Sequence, residues 1–352
     1  MFITGLGTAA PASRYTKSDC WEAYRRSEWY ERLDVRANAV VKGILRSANG
    51  MEARRLAVDS LAEVFQIDPD TLRRRFLTAA PALAAGAAKS ALDDAGIAAG
   101  EIEAVVVSTC TGYLCPGLSG YVIERIGLRD RVQAFDLVGQ GCAAALPNMR
   151  LASALLASGQ CRKVLSICVE VSSAAMYLDN DVGVLVSACL FGDGAGAAVL
   201  SATESPGRRR IAWRDCESLI DPAQRDALRF DQRGGMLRNI LTREVPQLAA
   251  DYAYRVLDAV LRRSGVSLPQ INAWIMHAGG RDVLLSIQAR FGLQARDFCY
   301  SADILREHGN LSSAFVYFVL RAALSDGAPG GWWWLSSFGA GFSCHGALLA
   351  VD

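Results

Sequence analysis

Residues 190–200 read LFGDGAGAAVL, and residues 337–349, near the end of the chain, read SFGAGFSCHGALL. Each stretch is a glycine-containing turn that leads into a final apolar strand. A second pair of segments repeats in the same order, as a helix and then a strand: 86–96 with 102–110, and 253–261 with 271–280. Two pairs of similar segments in the same order indicate a duplicated unit of strands and helices.

The duplication divides the chain into two halves, with the joint near the polar residues 203–210. We expect a first half over residues 1–205 and a second half over residues 206–352. Three predicted strands are apolar throughout rather than alternating: 103–109, 163–169 and 331–337. Because such strands are buried on both faces, the sequence predicts an α/β protein of stacked sheets and helices.

The composition is that of an ordinary globular protein: of 352 residues, 51% are hydrophobic and 21% are charged, and the formal net charge is +1. Such a charge gives no reason to expect a nucleic acid or a membrane surface as partner. No apolar run is long enough to span a bilayer. The first residues lack the pattern of a signal peptide, so we expect a cytoplasmic location with reduced cysteines. The ten cysteines and three histidines show no metal-ligand spacing, and no metal site is expected.

Cys142 is the candidate nucleophile. It follows the strand-like residues 135–138 and a glycine turn, and it precedes a helix of small residues. At the first turn of a helix, backbone N–H groups and the positive end of the dipole favour a thiolate, so we expect a lowered thiol pKa. Free cysteines more often simply fill a core, and this is the alternative.

His277 is the candidate base, because it stands at the end of a predicted strand just before Ala278, Gly279 and Gly280. A tight turn at this place would direct the imidazole into a cleft. The other two histidines have plainer interpretations. His308 lies in a polar stretch and is expected to be a solvated loop residue, and His345 belongs to the last strand and is expected to be structural.

Asn310 is the third candidate, and it stands between Gly309 and an apolar helix. Asparagine is among the best N-cap residues, so a purely structural role is the alternative. Function is favoured by the set: a helix-start cysteine, a strand-end histidine and a helix-start asparagine, each beside a glycine turn. In a layered α/β fold such ends meet in one pocket.

Five motifs, in order, resemble the chalcone and stilbene synthase family, the type III polyketide synthases. They are GQGC at 139–142, LFGDG at 190–194, HAGG at 277–280, GNLSSA at 309–314 and SFGAG at 337–341. The resemblance spans nearly the whole chain. It implies a thiolase fold, which is a duplicated five-layer αβαβα architecture, and a homodimer. It also implies coenzyme A thioesters as substrates, with no other cofactor. Within the family, the chain is most similar to bacterial members, many of which make alkylresorcinols or alkylpyrones from fatty acyl starters.

The resemblance implies a role for each candidate. Cys142 takes the acyl starter from coenzyme A and holds the growing polyketide. His277 keeps Cys142 as a thiolate, and with Asn310 it hydrogen-bonds the malonyl thioester carbonyl as carbon dioxide leaves. The implied reaction is iterative decarboxylative Claisen condensation of malonyl-coenzyme A onto the starter, followed by cyclisation to a pyrone or a resorcinol.

The resemblance also assigns pocket residues. Phe191 matches the family's gatekeeper between pocket and tunnel. Cys110, beside Thr111, stands where the family often has threonine, and a second aromatic gatekeeper of the family falls near Asn239. A family loop that usually reads Gly-Phe-Gly-Pro-Gly shapes the pocket, and here it begins with serine and has alanine for proline. Its candidate residues are Phe338, Gly339 and Ala340.

No glycine-rich phosphate loop marks a coenzyme A site. Lys42 and Arg46 occupy the segment in which the family's cationic residues hold the phosphates. Further candidates are Arg54, Arg55 and Arg281. Each of these side chains alone is more often a solvated surface charge.

Two other functions remain open at this point. A ketoacyl synthase that starts fatty acid synthesis has the same fold and triad, but it uses a carrier-protein substrate and condenses once. That family usually continues its histidine with Gln-Ala-Asn, whereas this chain continues with Ala278, Gly279 and Gly280. A catalytically silent partner protein is the second alternative, and the intact Cys142, His277 and Asn310 argue against it.

Overall fold

The computed structural model describes residues Met1–Asp352. The strands are β1 (Phe2–Ala9), β2 (Arg14–Thr16), β3 (Ala53–Arg55), β4 (Ala104–Ser108), β5 (Gln133–Leu137), β6 (Lys163–Glu170), β7 (Gly194–Ser201), β8 (Ile211–Ile220), β9 (Leu228–Arg233), β10 (Met236–Leu241), β11 (Ile271–Met276), β12 (Gly331–Gly339) and β13 (Ser343–Val351). The helices are α1 (Lys17–Arg26), α2 (Trp29–Arg32), α3 (Val35–Arg46), α4 (Pro69–Ala95), α5 (Leu118–Ile126), α6 (Ala145–Ala157), α7 (Val182–Leu190), α8 (Val245–Ser264), α9 (Arg281–Phe291), α10 (Cys299–His308) and α11 (Phe315–Ser325). No helix is both long enough and apolar enough to cross a bilayer.

Nine strands form one mixed sheet, in the order β11-β12-β13-β8-β1-β7-β6-β4-β5. The two parts of this sheet meet where β1 pairs with β8, through Phe2 and Ala212. Counted outward from that joint, the first part runs β1, β7, β6, β4 and the second part runs β8, β13, β12, β11. In each part, the first strand of the sheet is therefore followed by the last, the second-last and the second. The second part has no counterpart of β5. This repeated order supports the proposed division at residues 205 and 206.

The helices form three layers around the two parts of the sheet. On the outer side of the first part, α4 packs against β1, β7 and β6, and on the outer side of the second part, α8 packs against β8 and β13. Between them, α6 and α11 contact strands of both parts. The predicted five-layer αβαβα architecture is therefore confirmed.

Helix α4 is longer than the sequence pattern indicated. The predicted helix over 86–96 corresponds to only its last third. Asp68 caps its start by accepting a hydrogen bond from the backbone N–H of Thr71, and Gly96 ends it at a φ of 68°. Its small residues allow close contact with β1. A Cβ atom on Gly7 would lie 2.1 Å from the carbonyl oxygen of Ala87, so glycine is required there.

Strands β9 and β10 form a hairpin over a segment that the sequence pattern did not resolve. Gly234 and Gly235 make its two-residue turn, with φ values of 58° and 77°, as a type I′ turn requires. Asn239 stands opposite Phe230 in the register. The neighbouring Arg238 donates a 2.7 Å hydrogen bond to the carboxylate of Asp179, which ties the hairpin to the segment that precedes α7.

Candidate active site

Cys142 lies between β5 and α6, close to the predicted place. It sits in a single turn of 3-10 helix over Gly141–Ala143, and the α-helix itself begins at Ala145. The family loop packs directly on this turn, since a Cβ on Gly339 would lie 2.6 Å from the backbone nitrogen of Ala143. Only glycine permits that approach.

His277 directly follows β11, as predicted from the strand end. Its backbone N–H donates a 2.9 Å hydrogen bond to the carbonyl of Ser336 on β12. The imidazole is packed between two aromatic rings, with centroids 5.4 Å from Phe315 and 4.9 Å from Phe338. Neither ring nitrogen has a hydrogen-bond partner in the protein. Burial lowers the pKa of His277 to about 3, so its imidazole is neutral in the protein without substrate.

The side chain of Asn310 makes more hydrogen bonds than the single one that a helix N-cap requires. Its Nδ2 donates a 2.8 Å hydrogen bond to the carbonyl of Gly279, and its Oδ1 accepts one of 2.8 Å from the backbone N–H of Ser312. A primary amide has two N–H groups, so one donor is still available. The backbone of Asn310 also pairs with Phe191, through hydrogen bonds to Leu190 and from Gly192. Asn310 therefore connects the turn after His277 to Phe191.

Ser312 joins Cys142 to this arrangement, and sequence reasoning missed it. Its hydroxyl donates a 3.2 Å hydrogen bond to the Sγ of Cys142. Ser312 has a φ of 51°, which is the left-handed region that a non-glycine residue seldom adopts. Such local strain, of about 1–3 kcal/mol, is concentrated at functional sites. A residue type alone gives no signal of a positive φ.

Glu170 lies behind Ser312 and was also missed. Its fully buried carboxylate accepts hydrogen bonds from the hydroxyls of Ser313 and Thr111 and from the backbone N–H of Cys110. It also lies 3.3 Å from the Oγ of Ser312, as an alternative acceptor to Cys142 for the one proton of that hydroxyl. Burial raises the pKa of Glu170, and these donors oppose the rise. An acid at the end of an otherwise apolar strand was the available sequence signal.

The expected lowering of the Cys142 pKa is wrong for the free protein. Burial raises the pKa of the thiol to about 12, and the charge of Glu170 adds to the rise, while the hydrogen bond from Ser312 opposes it. The helix start cannot compensate because α6 begins three residues further on, and the effect of a helix dipole falls off within one turn. A thiolate at Cys142 therefore requires transfer of its proton to a neighbouring base.

All three candidates line one cleft of about 790 Å³, together with Phe191 and Phe338. Beside this cleft is a narrow chamber, whose lining includes the predicted Cys110 and Thr111. Phe191 and Asn239 are the residues common to both linings.

Of the three predicted residues of the family loop, Phe338 lines the cleft, but Gly339 and Ala340 line neither cavity. Gly339 packs on the turn of Cys142, and Ala340 stands beside Gly141, where a Cβ on the glycine would lie 3.1 Å from the Cβ of Ala340. Both residues therefore pack on the turn of Cys142 and do not line the cleft.

The predicted coenzyme A residues lie in different places. Arg281 lines the cleft, and it donates a 2.7 Å hydrogen bond to the carbonyl of Ala48. Lys42 and Arg46 are exposed. In the last turns of α3, the residue that lines the cleft is Ile44. Lys42 and Arg46 are each two positions from Ile44, which places them about 200° away around the helix axis. They therefore lie outside the cleft lining.

Two arginines that sequence reasoning did not name also line the cleft. They are Arg36 and Arg243. The further candidate Arg54 is unsuitable for a phosphate, because its guanidinium is buried and donates to the carbonyls of Ala188 and Phe191. Arg55 donates to the carbonyls of Pro11 and Ala12.

The other two histidines lie outside the cleft lining. His345 is buried in β13, with its Nδ1 2.8 Å from the Oγ of Ser218. His308 is the last residue of α10 and packs against Phe318 with centroids 5.1 Å apart, so it is not the solvated loop residue that we expected. Its apolar contact was hidden by the polar sequence around it.

Two family models match the chain. Residues 40–215 match the model described as FAE1/Type III polyketide synthase-like protein. Residues 222–350 match the C-terminal domain of chalcone and stilbene synthases. The chain belongs to the type III polyketide synthase family. It is therefore an acyltransferase, and the predicted resemblance and the predicted thiolase-like fold are confirmed.

Curated relatives of this type III polyketide synthase agree with the assignment. The 3,5-dihydroxyphenylacetyl-CoA synthase of Amycolatopsis orientalis is 30% identical over 75% of this chain and 72% of its own length. The alpha-pyrone synthesis polyketide synthase-like protein Pks18 of Mycobacterium tuberculosis is 27% identical over 99% of this chain and 91% of its own length.

A solved structure gives the same result. PKS-I from the brown alga Ectocarpus siliculosus superposes on this type III polyketide synthase with a TM-score of 0.90, at 25% identity over 99% of this chain and 98% of that one. These matches favour a polyketide synthase over the two alternatives, the single-condensation ketoacyl synthase and the silent partner.

Proposed function

We propose that this type III polyketide synthase loads an acyl group from an acyl-coenzyme A starter onto Cys142 and extends it with malonyl-coenzyme A. Repeated decarboxylative Claisen condensation is followed by cyclisation to a pyrone or a resorcinol. The observation that carries the proposal is the common cleft of Cys142, His277 and Asn310. Hydrogen bonds through Ser312 connect Cys142 to Asn310, and Asn310 binds the carbonyl of Gly279 in the turn that follows His277. No cofactor other than the coenzyme A thioesters takes part.

In the loading step, His277 accepts the thiol proton of Cys142. The thiolate attacks the thioester carbonyl of the starter, and coenzyme A leaves with a proton from the imidazolium. The unpartnered ring nitrogens of His277 support this role, because each is free to exchange a proton with a group in the cleft. The rings of Phe315 and Phe338 hold the imidazole plane in place.

In the extension step, malonyl-coenzyme A loses carbon dioxide, and its electron pair passes into an enolate. Two donors meet the developing oxyanion: the free N–H of Asn310 and an N–H of His277. Fixed donors of this kind stabilise the transition state by about 3 kcal/mol each, because they need no reorganisation as charge develops. The asparagine has no dissociable proton to give to the enolate carbon.

The enolate carbon then attacks the thioester on Cys142, and the thiolate leaves. The chain, longer by two carbons, is now on coenzyme A and reloads onto Cys142 for the next round. The cleft of about 790 Å³ has room for a thioester arm together with an acyl chain. Water has limited access to the Cys142 sulfur, whose residue is only 9% exposed, and this protects the acyl-enzyme from hydrolysis.

Arginines at the cleft support binding of the coenzyme A phosphates. Arg36, Arg243 and Arg281 line the cleft, and none of the three forms a salt bridge within the chain. Lys42 and Arg46 of α3 extend this positive surface outside the cleft. Exposed cations of this kind contribute modest binding energy and raise the rate of encounter with anions.

A homodimer is part of the proposal. Strand β5 is the last strand of the nine-stranded sheet, so one of its edges has no strand partner. Two apolar side chains nearby are exposed, Tyr113 by 76% and Val138 by 65%. An open edge beside exposed apolar residues favours pairing with a second copy. A cytoplasmic location also remains part of the proposal, and ten cysteines without a disulfide are consistent with it.

The test is to incubate the protein with malonyl-coenzyme A and a set of short, aromatic and long-chain acyl-coenzyme A starters, and to identify the products by mass spectrometry. The proposal predicts products with two or three added ketide units, absent from the Cys142→Ala variant. Products of a single condensation, or no malonyl-dependent product with any starter, would contradict it.

A further inference from the structure

Helix α3 presents one continuous face to solvent beside the cleft. The opposite side of the helix packs against α1 and α7. The exposed residues lie within about 120° of one another around the helix axis. They are Val35, Arg36, Ala39, Lys42, Gly43 and Arg46, and we call them the α3 face.

The α3 face is basic and has no acidic partner within the protein. Residues 35–46 include no aspartate or glutamate, and the three cations of the face form no salt bridge in the chain. The preceding Arg32, by contrast, is paired with Glu28. Asp34, at the start of the helix, is already engaged, because its carboxylate accepts a 2.7 Å hydrogen bond from the backbone N–H of Ala37. Acidic groups on a partner would complement this face.

Gly43 lies within this face, and the fold does not require a glycine there. Its φ is not positive, and a Cβ atom at this position would have no atom within 4 Å. Apart from proline, glycine is the least favourable residue in a helix interior. Ala39 is small as well and stands one turn earlier, and Val35, one turn before it, is 88% exposed. Such a strip allows a second helix to approach closely and make apolar contact.

The α3 face adjoins the cleft through Arg36, which belongs to the face and also lines the cleft. Coenzyme A bound in the cleft does not account for the whole face, because Lys42 and Arg46 lie on the far side of the helix from Ile44. A partner that covers the face and still acylates Cys142 must carry its acyl group on a long arm. Phosphopantetheine attached to a carrier protein is such an arm, and its thioester is the same as that of coenzyme A.

The α3 face is separate from the edge strand that we assign to the homodimer. Strand β5 packs against β4 and α5, whereas α3 packs against α1 and α7. With 12 residues, α3 is about 18 Å long, which matches a single helix of a partner. A contact of this size is typical of transient complexes, as a carrier that leaves after each transfer requires.

We propose that the α3 face docks an acidic helix of an acyl carrier protein, which delivers its acyl group to Cys142. This inference rests on the proposed function, because it concerns how the starter reaches that sulfur. After the proton of Cys142 passes to His277, the sulfur bonds to the acyl carbon, and the bond from that carbon to the pantetheine sulfur breaks. The carrier leaves as a thiol with the proton from His277.

The test compares two donors of one butanoyl group, coenzyme A and the acyl carrier protein of a bacterial fatty acid synthase. Intact-protein mass spectrometry without malonyl-coenzyme A gives kcat/KM for acylation of Cys142 by each donor. We expect the parent to accept both donors. Ala39→Glu sets a carboxylate against the acidic helix, and Gly43→Leu blocks its close approach. Each variant should lower the ratio of carrier loading to coenzyme A loading at least about tenfold.

Ala82→Glu is the matched control, because Ala82 is an exposed alanine of α4, on the outer side of the first part of the sheet. This variant should keep the parent ratio. Loading from coenzyme A but not from the carrier protein, or a parent-like ratio in both α3 variants, would overturn this inference alone. Absence of loading from both donors would overturn the proposed function and this inference with it.

Discussion

The hydroxyl of Ser312 donates a 3.2 Å hydrogen bond to the sulfur of Cys142, and the backbone N–H of the same serine binds the side chain of Asn310. One residue thus orients both the nucleophile and the amide that faces the substrate. Its positive φ is what directs the hydroxyl and the N–H to these two partners. The geometry of the site depends on a backbone conformation as much as on the three side chains.

Removing this hydroxyl should make Cys142 less reactive. The hydrogen bond from Ser312 lowers the pKa of the thiol, so Ser312→Ala is expected to slow alkylation of Cys142 by iodoacetamide about fivefold, which corresponds to about 1 kcal/mol. Ser313→Ala is the matched control, because Ser313 donates to Glu170 and not to Cys142. Equal slowing in both variants would mean that the effect comes from the network around Glu170.

His277→Gln should slow the reaction of Cys142 at neutral pH. Burial raises the pKa of the thiol to about 12 in the parent as well. Without a base to take the proton, only the small thiolate fraction of the variant reacts, so its alkylation rate should continue to rise with pH up to at least about pH 10. The parent should react at least about tenfold faster than the variant at pH 7. Equal rates and equal pH profiles would show that His277 does not activate the thiol.

Asn310→Ala should separate loading from extension. The variant keeps Cys142 and His277, so acylation of Cys142 by a starter should remain. Loss of one oxyanion donor should lower malonyl decarboxylation by roughly 10²–10³-fold. Intact-protein mass spectrometry measures loading, and release of labelled carbon dioxide measures decarboxylation. Parent-like decarboxylation would remove Asn310 from the mechanism.

Arg281→Ala should raise KM for malonyl-coenzyme A by up to about fivefold with little change in kcat, as loss of an exposed charge contact predicts. Lys42→Ala and Arg46→Ala should have smaller effects, because both residues lie outside the cleft lining. Arg262→Ala is the control: Arg262 is exposed and paired with Asp258 on α8. A larger effect at Lys42 or Arg46 than at Arg281 would place the phosphates on α3 instead.

Buried histidines should make the fold sensitive to acid. Burial lowers the pKa of His345 to about 4, so between pH 6.5 and about 4 the unfolded chain binds a proton that the folded chain does not. Stability therefore falls as pH falls, by up to about 1.4 kcal/mol per pH unit for this residue. In urea unfolding at pH 7, 6 and 5, His345→Gln should show a shallower pH dependence than the parent. Identical slopes would mean that the pKa of His345 is the same in the folded and the unfolded states.

The sequence predicted much of this structure because its signals were local. Continuous apolar strands and glycine turns located the layers, and the same turns located Cys142, His277 and Asn310 at strand and helix ends. Signals that depend on packing were not available. The burial of Arg54 and the apolar contact of His308 arise from distant segments, and neither has a local signature.

The pKa of Cys142 is the clearest example of this limit. A helix start was a valid local argument for a thiolate, but burial of the sulfur acts in the opposite direction and outweighs it. The hydrogen bond that partly restores reactivity comes from Ser312, 170 residues away in the chain. Only the folded structure brings these opposing effects together.

The measurement that tests the central claim most directly is mass spectrometry of the Cys142 peptide, quenched during turnover with a starter and saturating malonyl-coenzyme A. The account predicts a series of acyl adducts on Cys142, the starter and then successive two-carbon extensions, and no series in Asn310→Ala. A starter adduct that never lengthens in the parent protein, or a series carried by another residue, would contradict it.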